Sequence, residues 1–231
     1  MNSTIGIIGA MDIEVNGIVS SMENVSSKTI SGIVFYCGNL FNKKVVVAKC
    51  GIGKVFAAIC AQTMILGYKP SVIVNSGIAG SLSKELGVLN VVIASNVVQH
   101  DMDTSPLGDP RGLVSGINVI YFDANAGVAN ALVKCAKLQS SKCLCGTIAS
   151  GDKFVSAFDD KNDLNTTFGA IACEMEGGAV GHTCYVNNVP FGILRVISDG
   201  EGAEMDYSTF AEIAANKSIE IVKNFVKIYE V

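Results

Sequence analysis

The sequence contains few charged residues and very little histidine or arginine. Charged residues make up 16% of its 231 positions, the formal net charge is −4, and there are two histidines. No basic run is interleaved with aromatic residues, so we expect no nucleic-acid partner. Two histidines offer few nitrogen ligands, so we also expect neither a metal site nor another cofactor.

Long apolar runs are missing as well. No stretch of about 18 or more apolar residues is present that could span a membrane. The first residues, MNSTIGIIGAM, have neither the positive start nor the long apolar core of a secretory signal. The eight cysteines are scattered, and the one close pair, Cys143 and Cys145, has no partners at zinc spacing. We therefore expect a cytoplasmic protein with reduced cysteines and no membrane association.

Apolar residues, by contrast, make up 49% of the chain, and no linker, repeat or charge block divides it. We predict a single domain over 1–231. Apolar, β-branched runs predict strands at 4–10, 33–40, 44–50, 71–77, 91–98, 117–122, 146–151, 170–175 and 191–198. Helical periodicity predicts helices at 12–22, 54–66, 123–137, 177–185 and from about 207 onward. This alternation indicates an α/β fold with a parallel or mixed sheet covered on both faces.

Carboxylates and glycines follow several of the predicted strands. Glu14, Glu176 and Asp199 each come shortly after a strand or at its end, where open α/β sheets bind ligands. The glycine runs 51–53 and 77–80 match neither the dinucleotide fingerprint nor the phosphate loop of nucleotide-binding proteins. They are typical of tight turns and of close approach between backbone and ligand.

Structural roles also account for some of these residues. Asp12 is suited to an N-cap, and Glu14 to the positive end of the same helix. Asp199 is suited to a turn beside Gly200. The run from His100 to Asp103 contains possible metal ligands, an interpretation that the shortage of histidine disfavours.

Glu174 and Glu176 are harder to explain structurally, because they lie in the apolar stretch IACEMEGGAV. In an extended segment both carboxylates would point to the same side. Buried carboxylates need hydrogen-bond donors or a proton. Those donors are either protein groups or the hydroxyls of a bound sugar.

Seven motifs together resemble one known family. They are GAMDIE (9–14), GIGKV (51–55), NSGIAG (75–80), QHD (99–101), SGDKF (150–154), CEME (173–176) and RVISD (195–199). Their order and content are similar to those of bacterial 5′-methylthioadenosine/S-adenosylhomocysteine nucleosidases, which belong to the nucleoside phosphorylase superfamily. The resemblance extends from Ile5 to the last predicted helix. It implies a three-layer αβα sandwich around a mixed sheet, a homodimer, and hydrolysis of the N-glycosidic bond of adenosine thioethers, which are small nucleoside substrates.

The resemblance also implies roles for individual residues. Glu14 would activate water, Asp199 would protonate adenine at N7, and Glu176 would bind the ribose hydroxyls above Met175. Phe154 and Val155 would contact adenine, and the loop 100–108 would cover the alkylthio tail in the neighbouring subunit. The remaining positions expected at the substrate are Ala10, Met11, Ile52, Ile78, Ala79, Gly80, Leu107, Arg195, Ser198 and Tyr207.

The proposed chemistry requires Asp199 to hold a proton near pH 7, which needs a raised pKa, whereas Glu14 must be ionised. The chain departs from the family at three places. Ile78 stands where many members have Ser or Thr, so Arg195 and Glu14 would have to hold the water. Leu107 replaces a common aromatic residue, and the segment 200–206 is short.

Three other functions remain open at this stage. A phosphorylase of the same superfamily needs a cationic clamp for phosphate, yet the only arginines are Arg111 and Arg195. A non-catalytic nucleoside sensor would need neither Glu14 nor Asp199. A metal-dependent hydrolase would lose its activity in excess chelator.

Overall fold

The computed structural model of the protein describes residues 3–139, 142–199 and 207–230. The strands in these ranges are β1 (Thr4–Gly9), β2 (Glu23–Ile30), β3 (Ile33–Leu40), β4 (Lys43–Lys49), β5 (Val72–Ser81), β6 (Val91–Gln99), β7 (Tyr121–Asp123), β8 (Cys143–Ser150), β9 (Ala170–Glu174) and β10 (Phe191–Asp199). The α-helices are α1 (Asp12–Val19), α2 (Lys54–Tyr68), α3 (Ala126–Leu138), α4 (Phe158–Phe168), α5 (Gly177–Val186) and α6 (Tyr207–Ile228). None of the described helices is both long and apolar enough to cross a membrane.

The sheet lies between two layers of helices. Successive residues of a strand face opposite sides, so Ile5 and Ile7 of β1 pack in the core with α1, α3 and α6, whereas Ile8 packs in the core with α2 and α5. Leu164 and Phe168 of α4 belong to a third, smaller core beside β8 and β9. The predicted αβα sandwich around a mixed sheet is confirmed.

Part of the sheet closes on itself, because β5 pairs with three strands. It pairs in parallel with β1 over residues 72–75 and with β10 along most of its length, and its last residues pair with β9. Since β10 also pairs with β6, β6 with β8, and β8 with β9, five strands form a closed ring.

The closure of this ring brings strand ends together. β5 and β9 are antiparallel and overlap only near their carboxyl ends, where Gly80 lies opposite Cys173 and Ser81 opposite Ala172. Asp199, at the end of β10, also lies opposite Gly80. The segments that follow β1, β9 and β10 therefore meet at one place, although β9 and β10 belong to parts of the sheet with opposite strand directions.

The sequence analysis missed two elements and overextended another. β2 is an edge strand with almost every residue exposed, and α4 has a mostly polar sequence with two buried residues. Neither carries the apolar pattern on which the predictions rested. The predicted strand at 117–122 is wrong over most of its length: Asn118 has a φ of 55° and only Tyr121–Asp123 pairs with β6.

The N-cap prediction for Asp12 is also wrong. Met11 occupies the cap position, with extended backbone (φ −121°, ψ 157°), and Asp12 is the first helical residue. Its side chain forms an exposed ion pair with Lys49 Nζ at 2.8 Å.

Candidate active site

A cavity of about 120 Å³ lies where these strand ends meet. Its wall contains most of the residues predicted at the substrate: Ala10, Met11, Glu14, Ile52, Ile78, Ala79, Gly80, Phe154, Val155, Met175, Glu176, Ser198 and Asp199. Lys153, Cys173 and Glu174 complete it. Carboxylates are thus concentrated in a wall that is otherwise mainly apolar.

Glu14 lies in the first turn of α1 and is 3% exposed. Its Oε2 accepts hydrogen bonds from the backbone N–H groups of Ala10 (2.6 Å) and Met11 (3.0 Å), and its Oε1 accepts one from Ile78 (3.2 Å). A side chain at Gly77 would displace this carboxylate, because a Cβ there would lie 2.5 Å from Oε1. Burial raises the pKa of Glu14, and the charge of Arg195 and the three N–H donors only partly oppose this shift.

The carboxylate of Glu174 is bound entirely by groups of the protein. It pairs with the Arg195 guanidinium and accepts hydrogen bonds from the Ser150 hydroxyl and the backbone N–H groups of Glu176 (3.1 Å) and Gly177 (2.8 Å). Burial alone would raise the pKa of Glu174, but Arg195 and these donors bring it below its usual value. Glu174 is therefore a buried anion that fixes the turn into α5.

Glu176 occupies a different environment at the start of α5. Its Oε1 accepts a hydrogen bond from the backbone N–H of Gly53 at 2.8 Å. Burial, followed by the negative charge of Glu174, raises the pKa of Glu176 to about 7, with Arg195 acting in the opposite direction. Near neutral pH this side chain can accept or donate hydrogen bonds, as binding of sugar hydroxyls requires.

Asp199 ends β10 just after an irregularity in the pairing with β5. Its Oδ2 lies 3.2 Å from Lys161 Nζ, and its side chain is 27% exposed. Asp199 therefore forms an ion pair in the wall of the cavity.

The mouth of the cavity is formed by exposed apolar side chains. Ile52 is 58% exposed and Phe154 is 60% exposed, whereas Val155 beside Phe154 is buried. Apolar side chains at the mouth of a cavity are suited to contact a flat apolar ligand.

Three predicted residues are not part of the cavity wall as described. Arg195 is 2% exposed, and two nitrogens of its guanidinium are bound to Glu174, Asn75 and the carbonyl of Leu194. A buried guanidinium needs such partners, which the motif could not reveal. Leu107 ends a short 3₁₀ turn and is 84% exposed. Tyr207 begins α6, but its side chain and the segment 200–206 lie outside the described residues.

Some residues at the site had not been singled out from the sequence. Lys153 and Cys173 adjoin predicted residues, so the motifs that contain them already marked the place. Lys161 lies on α4, which the apolar periodicity failed to reveal, and no signal in the sequence pointed to it.

The run from His100 to Asp103 has a structural role in part. Asp101 accepts hydrogen bonds from Lys54 Nζ (2.6 Å) and from the backbone N–H of Asp152 (2.9 Å). Asp152 in turn accepts one from the backbone N–H of Lys54 at 2.7 Å. Within the described ranges, no group of three or more His, Cys, Asp or Glu side chains is placed to hold a metal ion.

Comparison with known proteins identifies relatives along the whole chain. The model of the phosphorylase superfamily matches residues 4–227. The 5′-methylthioadenosine/S-adenosylhomocysteine nucleosidase of Staphylococcus aureus (strain JH9) is 36% identical over 226 residues, covering 96% of this chain and 98% of the relative.

Solved structures show the same relationship. A mutant of the Helicobacter pylori MTA/SAH nucleosidase with 5′-methylthioadenosine in the active site matches with a TM-score of 0.93 and 34% identity, covering 99% of this chain and 100% of that one. The futalosine hydrolase of Helicobacter pylori strain 26695 matches with a TM-score of 0.93 and 34% identity, covering 99% of each chain. The chain therefore belongs to the phosphorylase superfamily and, within it, to the family of 5′-methylthioadenosine/S-adenosylhomocysteine nucleosidases.

Proposed function

We propose that the protein hydrolyses the N-glycosidic bond of 5′-methylthioadenosine and S-adenosylhomocysteine. The products are adenine together with 5′-methylthioribose or S-ribosylhomocysteine. The observation that carries this proposal is the placement of Glu14, Glu176 and Asp199 around one cavity with an apolar mouth. Membership of the family supports the same reaction.

Asp199 is the general acid that protonates adenine at N7. Adenine is a poor leaving group as an anion, and protonation lets it depart as a neutral base while the sugar acquires oxocarbenium character. Asp199 and Phe154 line the same cavity, so a base that contacts Phe154 and Val155 has a carboxyl group within the same enclosure. Ser198 adjoins the acid on β10.

Glu14 activates the attacking water. A general base is most effective when its pKa is near the working pH, and burial moves the pKa of Glu14 upward in that direction. Since Arg195 is bound elsewhere, the backbone around Ala10, Met11 and Ile78 orients the Glu14 carboxylate.

Glu176 binds the ribose hydroxyls, with Met175 beneath the sugar. The Gly53 N–H fixes one oxygen of Glu176, and the side chain lines the same cavity as Glu14. The backbone of Ala79 and Gly80 and the side chain of Ile52 enclose the rest of the nucleoside.

Hydrolysis is favoured over phosphorolysis by the charges around the cavity. An incoming phosphate would approach three carboxylates, and both lysines near them are already paired: Lys153 with Asp160 at 2.7 Å and Lys161 with Asp199. The guanidinium of Arg195 is also bound, so it offers no bidentate clamp for an oxyanion.

We further propose that the protein acts as a homodimer. Val55, Phe56 and Ile59 of α2 and the nearby Ile52 are all at least 40% exposed, as is Leu107 in the loop 100–108. Such an apolar patch is typical of an association surface. In the dimer the loop 100–108 of one subunit would cover the alkylthio end of the nucleoside in the other.

A cytoplasmic location is part of the same proposal. All eight cysteines are free thiols, and five of them are buried. Free cysteines in this number are typical of a reducing compartment.

The first experiment is measurement of adenine release from 5′-methylthioadenosine in phosphate-free buffer, with and without added phosphate and with excess chelator. We expect the same rate in all three conditions. A strong requirement for phosphate would indicate a phosphorylase, and loss of activity with chelator would indicate a metal-dependent hydrolase. No release from this substrate, S-adenosylhomocysteine or a futalosine would favour a nucleoside sensor.

A further inference from the structure

A lysine of helix α4 forms an ion pair with the carboxylate of Asp199. Lys161, the fourth residue of this helix, has its Nζ 3.2 Å from Asp199 Oδ2. The two side chains are 17% and 27% exposed, so the contact is largely shielded from solvent. An ion pair in this environment is screened less than one on the open surface.

The two oxygens of Asp199 have different surroundings. Oδ2 faces Lys161, whereas Oδ1 is the one nearer to Gly80 in the cavity wall: a Cβ at position 80 would lie 3.1 Å from Oδ1 and 3.5 Å from Oδ2. The contact with Lys161 thus fixes the rotation of the carboxyl group and leaves Oδ1 for a ligand.

We propose that Lys161 is a positioning residue of the reaction, which orients Asp199 and stabilises the carboxylate that forms as Asp199 gives its proton to adenine. This inference rests on the proposed function, in which Asp199 is the general acid. Lys161 acts through Asp199 and is not required to touch the substrate.

Proton transfer from Asp199 accompanies cleavage of the N-glycosidic bond. The O–H bond at Oδ1 of Asp199 breaks and an N–H bond forms at N7, while the electron pair of the C1′–N9 bond moves into the purine. Water forms the new bond to C1′ and gives a proton to Glu14. Asp199 ends as an anion 3.2 Å from an ammonium group. A preorganised cation beside charge that develops in the transition state lowers the barrier.

Other titratable groups near Asp199 do not provide a second cation for it. Cys173 of β9 is close, but burial raises the pKa of its thiol to about 12, so it is neutral at pH 7. Lys153, which lines the same cavity, is paired with Asp160. Glu14 and Glu176 are in the cavity wall and carry or gain negative charge. Among the described residues, Lys161 is the cation that forms an ion pair with Asp199.

The test compares kcat and KM for the wild type, Lys161→Met and Lys161→Arg. Met keeps the aliphatic chain and removes the charge. We expect kcat of Lys161→Met to fall by about tenfold or more with KM little changed, because the lysine acts on the acid and does not touch the substrate. Lys161→Arg should restore most of kcat.

Arg111→Met serves as the matched control for the position of α4. Arg111, which precedes α4 in the chain, forms an ion pair at 2.9 Å with Asp163. Asp163 lies on α4, as Lys161 does, so this pair also holds the helix without involving Asp199. The Arg111→Met variant should keep the wild-type kcat and KM. If Arg111→Met reproduces the effect of Lys161→Met, the lysine merely anchors the helix and the inference is wrong.

The outcome also separates this inference from the proposed function. An unchanged kcat in Lys161→Met, with Asp199→Asn inactive, would overturn the role of Lys161 and leave the acid in place. Full activity of Asp199→Asn would overturn both. Thermal unfolding of each variant checks that it is folded, and Lys161→Gln replaces the Met variant if the latter is not.

Discussion

Glu174 and Glu176 are two residues apart in the sequence, yet their carboxylates bind different groups of the protein. Glu174 forms an ion pair with Arg195 and accepts a hydrogen bond from the Ser150 hydroxyl. Glu176 instead accepts a hydrogen bond from the backbone N–H of Gly53. The chain leaves the extended conformation between them, because β9 ends at Glu174 and Glu176 precedes α5. The pKa of Glu174 is accordingly lowered, and that of Glu176 is raised to about 7. Two adjacent carboxylates thus supply one fixed charge and one group that can change its protonation near neutral pH.

Asp199→Asn should lower kcat for adenine release by at least about 10²-fold, since an amide cannot donate the proton that N7 requires. The matched control is Asp12→Asn, which removes an exposed carboxylate from its ion pair with Lys49. Such a pair contributes little to stability, and the control should be fully active. Steady-state kinetics with 5′-methylthioadenosine distinguish the two variants.

Glu14→Gln should also lower kcat by at least about 10²-fold. In the wild type, Glu14 must be deprotonated to act as the base, and burial raises its pKa above the ordinary 4.5. Activity should therefore decline on the acid side at a pH above 4.5. An acid limb at or below the ordinary carboxylate value, or an active Gln variant, would remove Glu14 from this role.

Glu176→Gln should reduce kcat/KM sharply, because the ribose hydroxyls lose a carboxylate that binds more strongly in the transition state. The same change should stabilise the fold at alkaline pH. The folded pKa of about 7 lies above the ordinary 4.5, so the wild type loses stability as pH rises through this interval. The variant should gain up to about 3 kcal/mol over the wild type between pH 4.5 and pH 8, because each unit of pKa shift corresponds to about 1.4 kcal/mol. Denaturant unfolding at these two pH values measures the difference, and an equal difference at both would contradict it.

Arg195→Met should destabilise the protein by about 3–5 kcal/mol, since it leaves Glu174 buried without its cation. The more exposed pair of Arg111 with Asp163 provides the comparison, and Arg111→Met should cost about 1 kcal/mol or less. Denaturant unfolding at pH 7 gives both values. Similar losses in the two variants would mean that the buried pair has no special weight.

Leu107→Glu should raise KM for 5′-methylthioadenosine without changing the stability of the isolated subunit. Leu107 is 84% exposed, so the substitution disturbs no core contact within the chain. Its effect would come from the neighbouring subunit's site in the proposed homodimer. Light scattering should show a dimer for the wild type; a monomer with normal kinetics would exclude this role for the loop 100–108.

The buried strands and their order along the chain could be predicted because their sequences are runs of β-branched residues. β1, β5 and β10 are read directly in this way, and α2 and α5 follow from the segments between them. β2 and α4 could not be found, since their stability comes from pairing and packing that leave most of their side chains exposed.

The site was predictable to the extent that motifs mark positions on the chain. Most of the expected residues line one cavity, but the motifs carry no information about partners. Arg195 is an example: its position in a motif suggests contact with water, whereas its charge is used by Glu174. Lys161 belongs to no motif, yet it contacts Asp199. The contact depends on how α4 packs on the folded sheet, which the local sequence does not show.

The closed ring of five strands has a consequence for how the molecule acquires its activity. Glu14 follows the first strand, in α1. Glu176 and Asp199 come just after β9 and at the end of β10, whose pairing with β5 joins segments about 100 residues apart in the chain. Contacts of such long range form late, after the local hairpin of β2 and β3. Return of enzymatic turnover during refolding should consequently lag behind return of helical signal, and a nascent chain that ends before β10 would contain Glu14 without Asp199.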